Sequence, residues 1–256
     1  MPLNPITLAT GMASASTSLW RGTVIRHDEI GDNRPEKMLK LYDMEGCPYC
    51  KLVREVLTEL DLSVHILPCP RGGDIYRKEV KELGGQEMFP FLVDPNTDIQ
   101  MYESADIIDY LFREYGSGRT PTTWLLPVVN TTTSRLSGLF RPLQGINKRY
   151  SRQPEQPLEL YSFESSPYSK PVRERLTELE LPYILRNLGK FDKSDFIIPQ
   201  VRKHIIASQP PKGPLRKAMY DKYGMVQVPL LIDPNTNTEL FESEKINNYL
   251  MNTYAA

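Results

Sequence analysis

The feature that most constrains this chain is that it repeats itself. Residues 160–181 align with residues 41–62 at an offset of 119, with 14 identities in 22 positions. Pro229–Thr236 matches Pro90–Thr97 at an offset of 139, and Phe241-Glu242-Ser243 matches Tyr102-Glu103-Ser104 at that same offset. The difference of 20 between the offsets is an insertion in the second copy, expected around residues 188–212 and including a helical stretch near residues 195–207. Self-similarity of this strength predicts two copies of one fold. A chain of 256 residues has room for two domains that each bury a core.

The first copy reads as alternating strands and helices. Residues 41–43 form the end of an apolar strand, and Leu52, Val53, Val56, Leu57 and Leu60 recur at helical spacing. A second apolar run spans residues 64–67, a helix is expected over 74–83 with Gly84-Gly85 ending it, and a strand over 89–93. Asp94-Pro95-Asn96-Thr97 is turn chemistry, so residues 99–102 return as an antiparallel neighbour. Ser104 is expected to cap a last helix with Ile107, Ile108, Leu111 and Phe112 on one face. The order is β-α-β-α-β-β-α. The expected fold class is α/β, with two tandem units over residues 38–116 and 158–256, an arm at 1–37 and a linker at 117–157.

Between the first strand and its helix stands Cys47-Pro48-Tyr49-Cys50. Proline suits a helix start, where its missing N–H has no partner to lose. Cys47 therefore falls where free N–H groups and the positive helix end favour an anion, which lowers a thiol pKa from ~8.5 to ~3.5–7.5. Cys50 lies on the same helical face and can close a disulfide with Cys47, so the pair reads as a dithiol redox centre. Lys51 is a possible cation beside the thiolate, or an ordinary exposed lysine. Cys69 follows the second strand and emerges at the same sheet edge, as an auxiliary thiol or a small core residue. Three cysteines and three histidines, at 27, 65 and 204, do not complete a zinc site, so no metal is expected.

The charge balance, 31 basic against 32 acidic residues, gives no reason to expect nucleic acid. No run approaches the ~20 apolar residues of a membrane span. The arm holds Arg21, Arg26 and Arg34 with no acid before Asp28, which reads as a poorly ordered or docking segment and faintly as a transit peptide. A cytoplasmic location is expected, with organellar import the alternative. In the linker, five prolines predict no long helix. Its six Lys or Arg against Glu155, with the apolar 124–129 run, suit docking across the domains or touching a membrane surface.

Each copy resembles the thioredoxin-fold domain shared by glutaredoxins and the N-terminal half of glutathione transferases. The resemblance rests on the strand–Cys-Pro-Tyr-Cys–helix, on Phe89-Pro90 and Val228-Pro229 opening a strand, and on Glu103-Ser104 and Glu242-Ser243 opening the last helix. It implies a glutathione-linked thiol–disulfide oxidoreductase with Cys47 as nucleophile and Cys50 as resolving thiol. It also implies glutathione as co-substrate, a disulfide-containing protein or small molecule as partner, and glutathione held by Tyr49, Phe89, Pro90, Glu103 and Ser104. The proline is in the cis form in that family, which frees the preceding backbone to pair with an extended peptide, and the helix start binds a carboxylate. The second copy replaces both thiols with Ser166 and Ser169, which cannot exchange disulfides. Its candidate site is Ser166, Val228, Pro229, Glu242 and Ser243. Ser166-Pro167-Tyr168-Ser169 is similar to the serine motif of some transferases, so a transferase or isomerase using Ser166 or Cys47 is one alternative. A non-enzymatic glutathione-binding or docking module is the other. No stretch supplies the all-helical domain that forms the hydrophobic substrate pocket of transferases. Where glutaredoxins often carry Lys before the first cysteine, this chain has Met44-Glu45-Gly46.

Overall fold

The structure is a computed structural model and describes residues 4–196 and 211–256. Helix α1 (Pro5–Thr17) precedes the first copy, which runs β1 (Leu39–Asp43), α2 (Pro48–Glu59), β2 (Val64–Pro68), α3 (Tyr76–Gly84), β3 (Phe91–Asp94), β4 (Ile99–Met101) and α4 (Ser104–Glu114). Helix α5 (Pro127–Gly138) precedes the second copy: β5 (Leu158–Ser162), α6 (Lys170–Glu178), β6 (Tyr183–Asn187), α7 (Pro214–Tyr223), β7 (Leu230–Asp233), β8 (Thr238–Phe241) and α8 (Ser243–Tyr254). Of the helical stretch expected near 195–207, all but its first two residues lie outside the described residues, as does His204. Lys193–Phe196 forms a short 3₁₀ turn.

Among the described residues, the two copies share one eight-stranded sheet in the order β4-β3-β1-β2-β6-β5-β7-β8. Alone, each copy would leave an unpaired edge at β2 or β6, a template for association. Here the two edges pair antiparallel, with Val64 opposite Leu185, His65 opposite Ile184 and Ile66 opposite Tyr183. His65 and Ile184 hold the same place in the two repeats, so a pseudo-twofold axis passes between them. One apolar core runs through the junction, from Leu39, Leu41, Val53, Val56 and Leu57 to Leu160, Leu176, Leu185 and Leu250. Each such side chain contributes about 1.5–3 kcal/mol on burial.

The repeated Asp-Pro-Asn-Thr turns do the same work twice. Asp94 accepts from the Asn96 N–H at 2.8 Å and the Tyr110 hydroxyl at 2.6 Å, and from the hydroxyl of Tyr115. Asp233 accepts from Asn235 at 2.8 Å, Tyr249 at 2.6 Å and Tyr254 at 2.5 Å.

The arm and the linker hold more helix than expected. The prolines do not keep the linker from forming a twelve-residue helix, because Pro127 stands in the first turn of α5, where proline has no hydrogen bond to lose. The arm is likewise helical over α1, and α1 packs against α5. The segments that follow these helices are also equivalent. Ile25 N–H donates to the Lys190 carbonyl and Lys148 N–H to the Arg71 carbonyl, each at 2.9 Å. Ser165 N–H donates to the Gly22 carbonyl at 3.3 Å and Gly46 N–H to the Gly145 carbonyl at 3.1 Å. The arm thus lies on the second copy's Ser-Pro-Tyr-Ser turn, and the linker on the first copy's cysteine turn.

Candidate active site

Strand β1 ends at Asp43, and Cys47 N–H closes the following turn onto the Met44 carbonyl at 2.9 Å. Cys47 is the N-cap of α2 with extended backbone, and Pro48 follows in the first turn. The Cys50 thiol and the backbone N–H groups of Cys50 and Tyr49 favour the ionised form of the Cys47 sulfur. Together with the charge of Arg54 they outweigh burial and bring the Cys47 thiol down to about 7. Cys50 moves the other way: burial, its interaction with the Cys47 sulfur and the nearby Asp43 push it well above its ordinary value, so it keeps its proton. The result is one thiol that ionises near neutral pH beside one that stays protonated. Both cysteines are free, Cys50 is fully buried, and Cys47 is 9% exposed.

That exposure opens on a cavity of about 200 Å3. Its floor is the cysteine turn, its roof is α5 with the loop to Ile146, and its far wall is Lys170 and Glu174 of the second copy. Ser134 Oγ donates to the Pro48 carbonyl at 2.7 Å. Arg135 Nη2 donates to the Tyr49 hydroxyl at 2.6 Å, and its guanidinium lies 5.6 Å from the centre of that ring.

Beneath the cysteine turn lies a buried ionic cluster. Arg54 meets Asp43, Glu45 Oε2 at 3.0 Å and Glu164 Oε2 at 2.9 Å. Its counterpart Arg173 meets Glu45 Oε1 at 3.1 Å, Glu164 Oε2 at 3.3 Å and Ser162 Oγ at 3.1 Å. Burial pushes the Asp43 carboxyl up to about 6 against the pull of Arg54. Burial also opposes ionisation of Glu45 and Glu164, but Arg173 and Arg54 hold both below the usual carboxylate range. Lys51 is neither exposed nor committed to the thiolate: it is buried, and Nζ bonds Glu55 Oε1 at 2.5 Å and Ser18 Oγ at 3.2 Å. The cation acting on Cys47 is Arg54, which sequence reasoning missed. The signal was available, because Glu45, Arg54, Glu164 and Arg173 are identities between the repeats.

The other sequence candidates fall in several places. Phe89–Pro90 and Val228–Pro229 are both cis, each just ahead of its strand. Pro90 is buried, and Phe89 lies under the Arg77 guanidinium at 4.8 Å. Glu103 and Glu242, not Ser104 and Ser243, occupy the N-caps of α4 and α8, with φ of 64° and 71°. The serines sit one residue inside, and Ser243 Oγ donates to the Tyr168 carbonyl at 2.5 Å. Phe89, Pro90, Glu103 and Ser104 stand outside the lining of the Cys47 cavity. Cys69 is fully buried in a cluster with Tyr42, Leu67, Val80 and Phe91, and burial pushes its thiol far up, so its position gives an auxiliary redox role no support.

In the second copy, α6 starts at Lys170, four residues past Ser166. Ser166 Oγ accepts from the Ser169 N–H at 3.2 Å and the Ser169 hydroxyl at 3.0 Å, and is 1% exposed. Helix α1 closes over this turn, and the space between them is only about 10 Å3. Among the described residues, Ser166 thus has little space beside it for a transferase substrate. Among the described residues, no group of three or more His, Cys, Asp or Glu is arranged to hold a metal ion, and no helix is long and apolar enough to cross a membrane.

A family model described as glutathione S-transferase, N-terminal domain, matches residues 41–120 and 160–256, one match for each copy. A solved glutathione transferase from Bombyx mori is similar at 26% identity, over 33% of this chain and 39% of its own, with a TM-score of 0.30. The chain thus spans under half the length of that relative. No curated protein matches it.

Proposed function

This chain belongs to the glutathione S-transferase N-terminal domain family through both of its copies, and from that premise we propose that it is a glutathione-linked thiol–disulfide oxidoreductase working through Cys47 and Cys50. The observation that supports this most is the pairing of a thiol brought down to about 7 with a neighbour pushed well above its ordinary value. Near neutral pH that arrangement supplies a nucleophile without exposing a second one. Cys47 attacks a disulfide sulfur, and Cys50 resolves the mixed disulfide. Glutathione lies along the Phe89–Pro90 backbone, with Glu103 and Ser104 at the α4 start taking its charged end and Tyr49 flanking it. The second copy, with Ser166 and Ser169, performs no thiol exchange and serves as a wall and support for the first.

The test is turnover of a glutathione mixed disulfide by wild type and by Cys47→Ser. Loss of turnover in the variant is expected. An unchanged rate would reject the assignment.

A further inference from the structure

The proposed chemistry leaves open what reaches Cys47. Helix α5 lies over the turn, tied down by Ser134 to Pro48 and, just beyond the helix, by Gly145 to Gly46. Arg141 fixes the same loop to the second copy through Glu174, at 2.6 and 2.5 Å. A disulfide exchanging with Cys47 must place both its sulfurs in line with Sγ, hence inside the roofed space. About 200 Å3 admits a small molecule. It does not admit a disulfide carried on a folded backbone, which brings two chains with it.

The cavity also has a sign. Its lining holds Lys51, Arg135, Arg141 and Lys170 against Glu45 and Glu174. Three of the cations are already matched: Lys51 to Glu55, Arg141 to Glu174 and Lys170 to Glu45. Among the described residues, Arg135 pairs with no carboxylate; its fork is held by the hydroxyl and ring of Tyr49, inside the cysteine motif. A guanidinium so positioned can take a carboxylate bidentately while staying on the ring.

We infer that the substrate of Cys47 is a small, carboxylate-bearing disulfide that enters under α5, and that Arg135 is the residue that selects it. The inference rests on the redox role of Cys47 proposed above. In the reaction, the Cys47 thiolate attacks one sulfur of R–S–S–R, forming Cys47–S–S–R and releasing RS⁻. Cys50 then attacks the Cys47 sulfur, its proton passing to the second RS⁻, and the Cys47–Cys50 disulfide forms. Two glutathione thiols reduce that disulfide and leave as glutathione disulfide, so two electrons pass from glutathione to the substrate.

The experiment measures kcat/KM of the full chain, with glutathione as donor, on dithiodipropionate, on the neutral bis(hydroxyethyl) disulfide and on insulin. Wild type should favour the dicarboxylate over the neutral disulfide by about tenfold, the scale of one charge-assisted contact. Insulin should be reduced far more slowly than either. Arg135→Gln should abolish the preference by lowering the dicarboxylate rate more than the neutral one, a pattern that loss of fold would not produce. Gly138→Trp places an indole at the cavity, from a position where a Cβ meets open space, and should slow both small disulfides. Insulin turnover at the small-disulfide rate, or a preference surviving Arg135→Gln, overturns the inference and leaves the redox reading standing. No turnover of any disulfide by wild type overturns both.

Discussion

Arg54 and Glu164 come from different repeats, yet they meet with Nε 2.9 Å from Oε2, both buried. The pseudo-twofold axis makes the reciprocal contact, Arg173 to Glu45 at 3.1 Å. Each repeat thus places its arginine on the other's carboxylate, directly under the cysteine turn. The cluster joins the two halves of the molecule, and through Arg54 it adds to the field at Cys47.

Removing one arginine should therefore do two things. Arg54→Met leaves Asp43, Glu45 and Glu164 short of a buried partner, and breaking such a pair costs about 3–5 kcal/mol. The loss is read from urea denaturation. Arg173→Met should cost a similar amount. Only Arg54→Met should also raise the Cys47 pKa, and by less than removing the Cys50 thiol does, because Arg54 is the arginine whose charge acts on that sulfur and its effect is smaller than that of Cys50.

The thiol itself gives a pH profile. With its pKa lowered to about 7, Cys47 is mostly protonated below that pH and mostly thiolate above it. Alkylation by iodoacetamide, followed by mass spectrometry, should rise as pH passes through about 7 and level off above it. Cys50→Ala removes the strongest donor to the sulfur, so the midpoint should move upward. Cys50 and Cys69 should stay unmodified in the folded protein, because burial pushes both thiols up.

The placement of Cys47 and Pro48 at a helix start was legible because strand, turn and apolar periodicity are local signals, and the paired copies repeat them. The polar face of α2 was not. Lys51, Arg54, Glu55, Thr58 and Glu59 have the pattern of a solvated face, yet all are buried. Their partners arrive from Ser18, Arg21, Trp124, Glu164 and Asn187, positions that no spacing rule links to α2. The same limit hid the equivalence of arm and linker, where Gly22 and Gly145 match but few neighbours do. The edge-to-edge pairing of β2 and β6 was also invisible, since each strand's alternation fits a sheet ending there. Arg135 was read only as one of the linker's basic residues, and its place over Tyr49 depends on where α5 packs.

Gly22 and Gly145 should be intolerant of alanine. Both have positive φ, 67° and 64°, where a Cβ costs about 1–2 kcal/mol. A Cβ at Gly22 would also stand 2.8 Å from Glu164 Cβ, and one at Gly145 3.0 Å from Glu45 Cβ and 3.2 Å from the Glu174 backbone. Gly224 shares the φ of 67° but faces open space, so Gly224→Ala reports the backbone cost alone. Thermal unfolding of the three variants should place Gly224→Ala closest to wild type.

Restoring thiols to the second copy should not restore chemistry there. In the double variant Ser166→Cys with Ser169→Cys, the first new thiol would lie under α1 with about 10 Å3 of free space, too little for an in-line disulfide. The close fit of Gly11, whose Cβ would come within 3.1 Å of the Pro167 carbonyl, leaves that helix no room to lift without breaking its packing. The helix start has also moved to Lys170, away from residue 166, so the positive end that favours a thiolate at Cys47 is not aimed there. In a Cys47→Ser background the engineered pair should react with iodoacetamide at least about tenfold more slowly than native Cys47 and show no mixed-disulfide turnover. Rates equal to those of the native pair would mean that the roof helices open freely, and that the difference between the two sites lies in the cysteines alone.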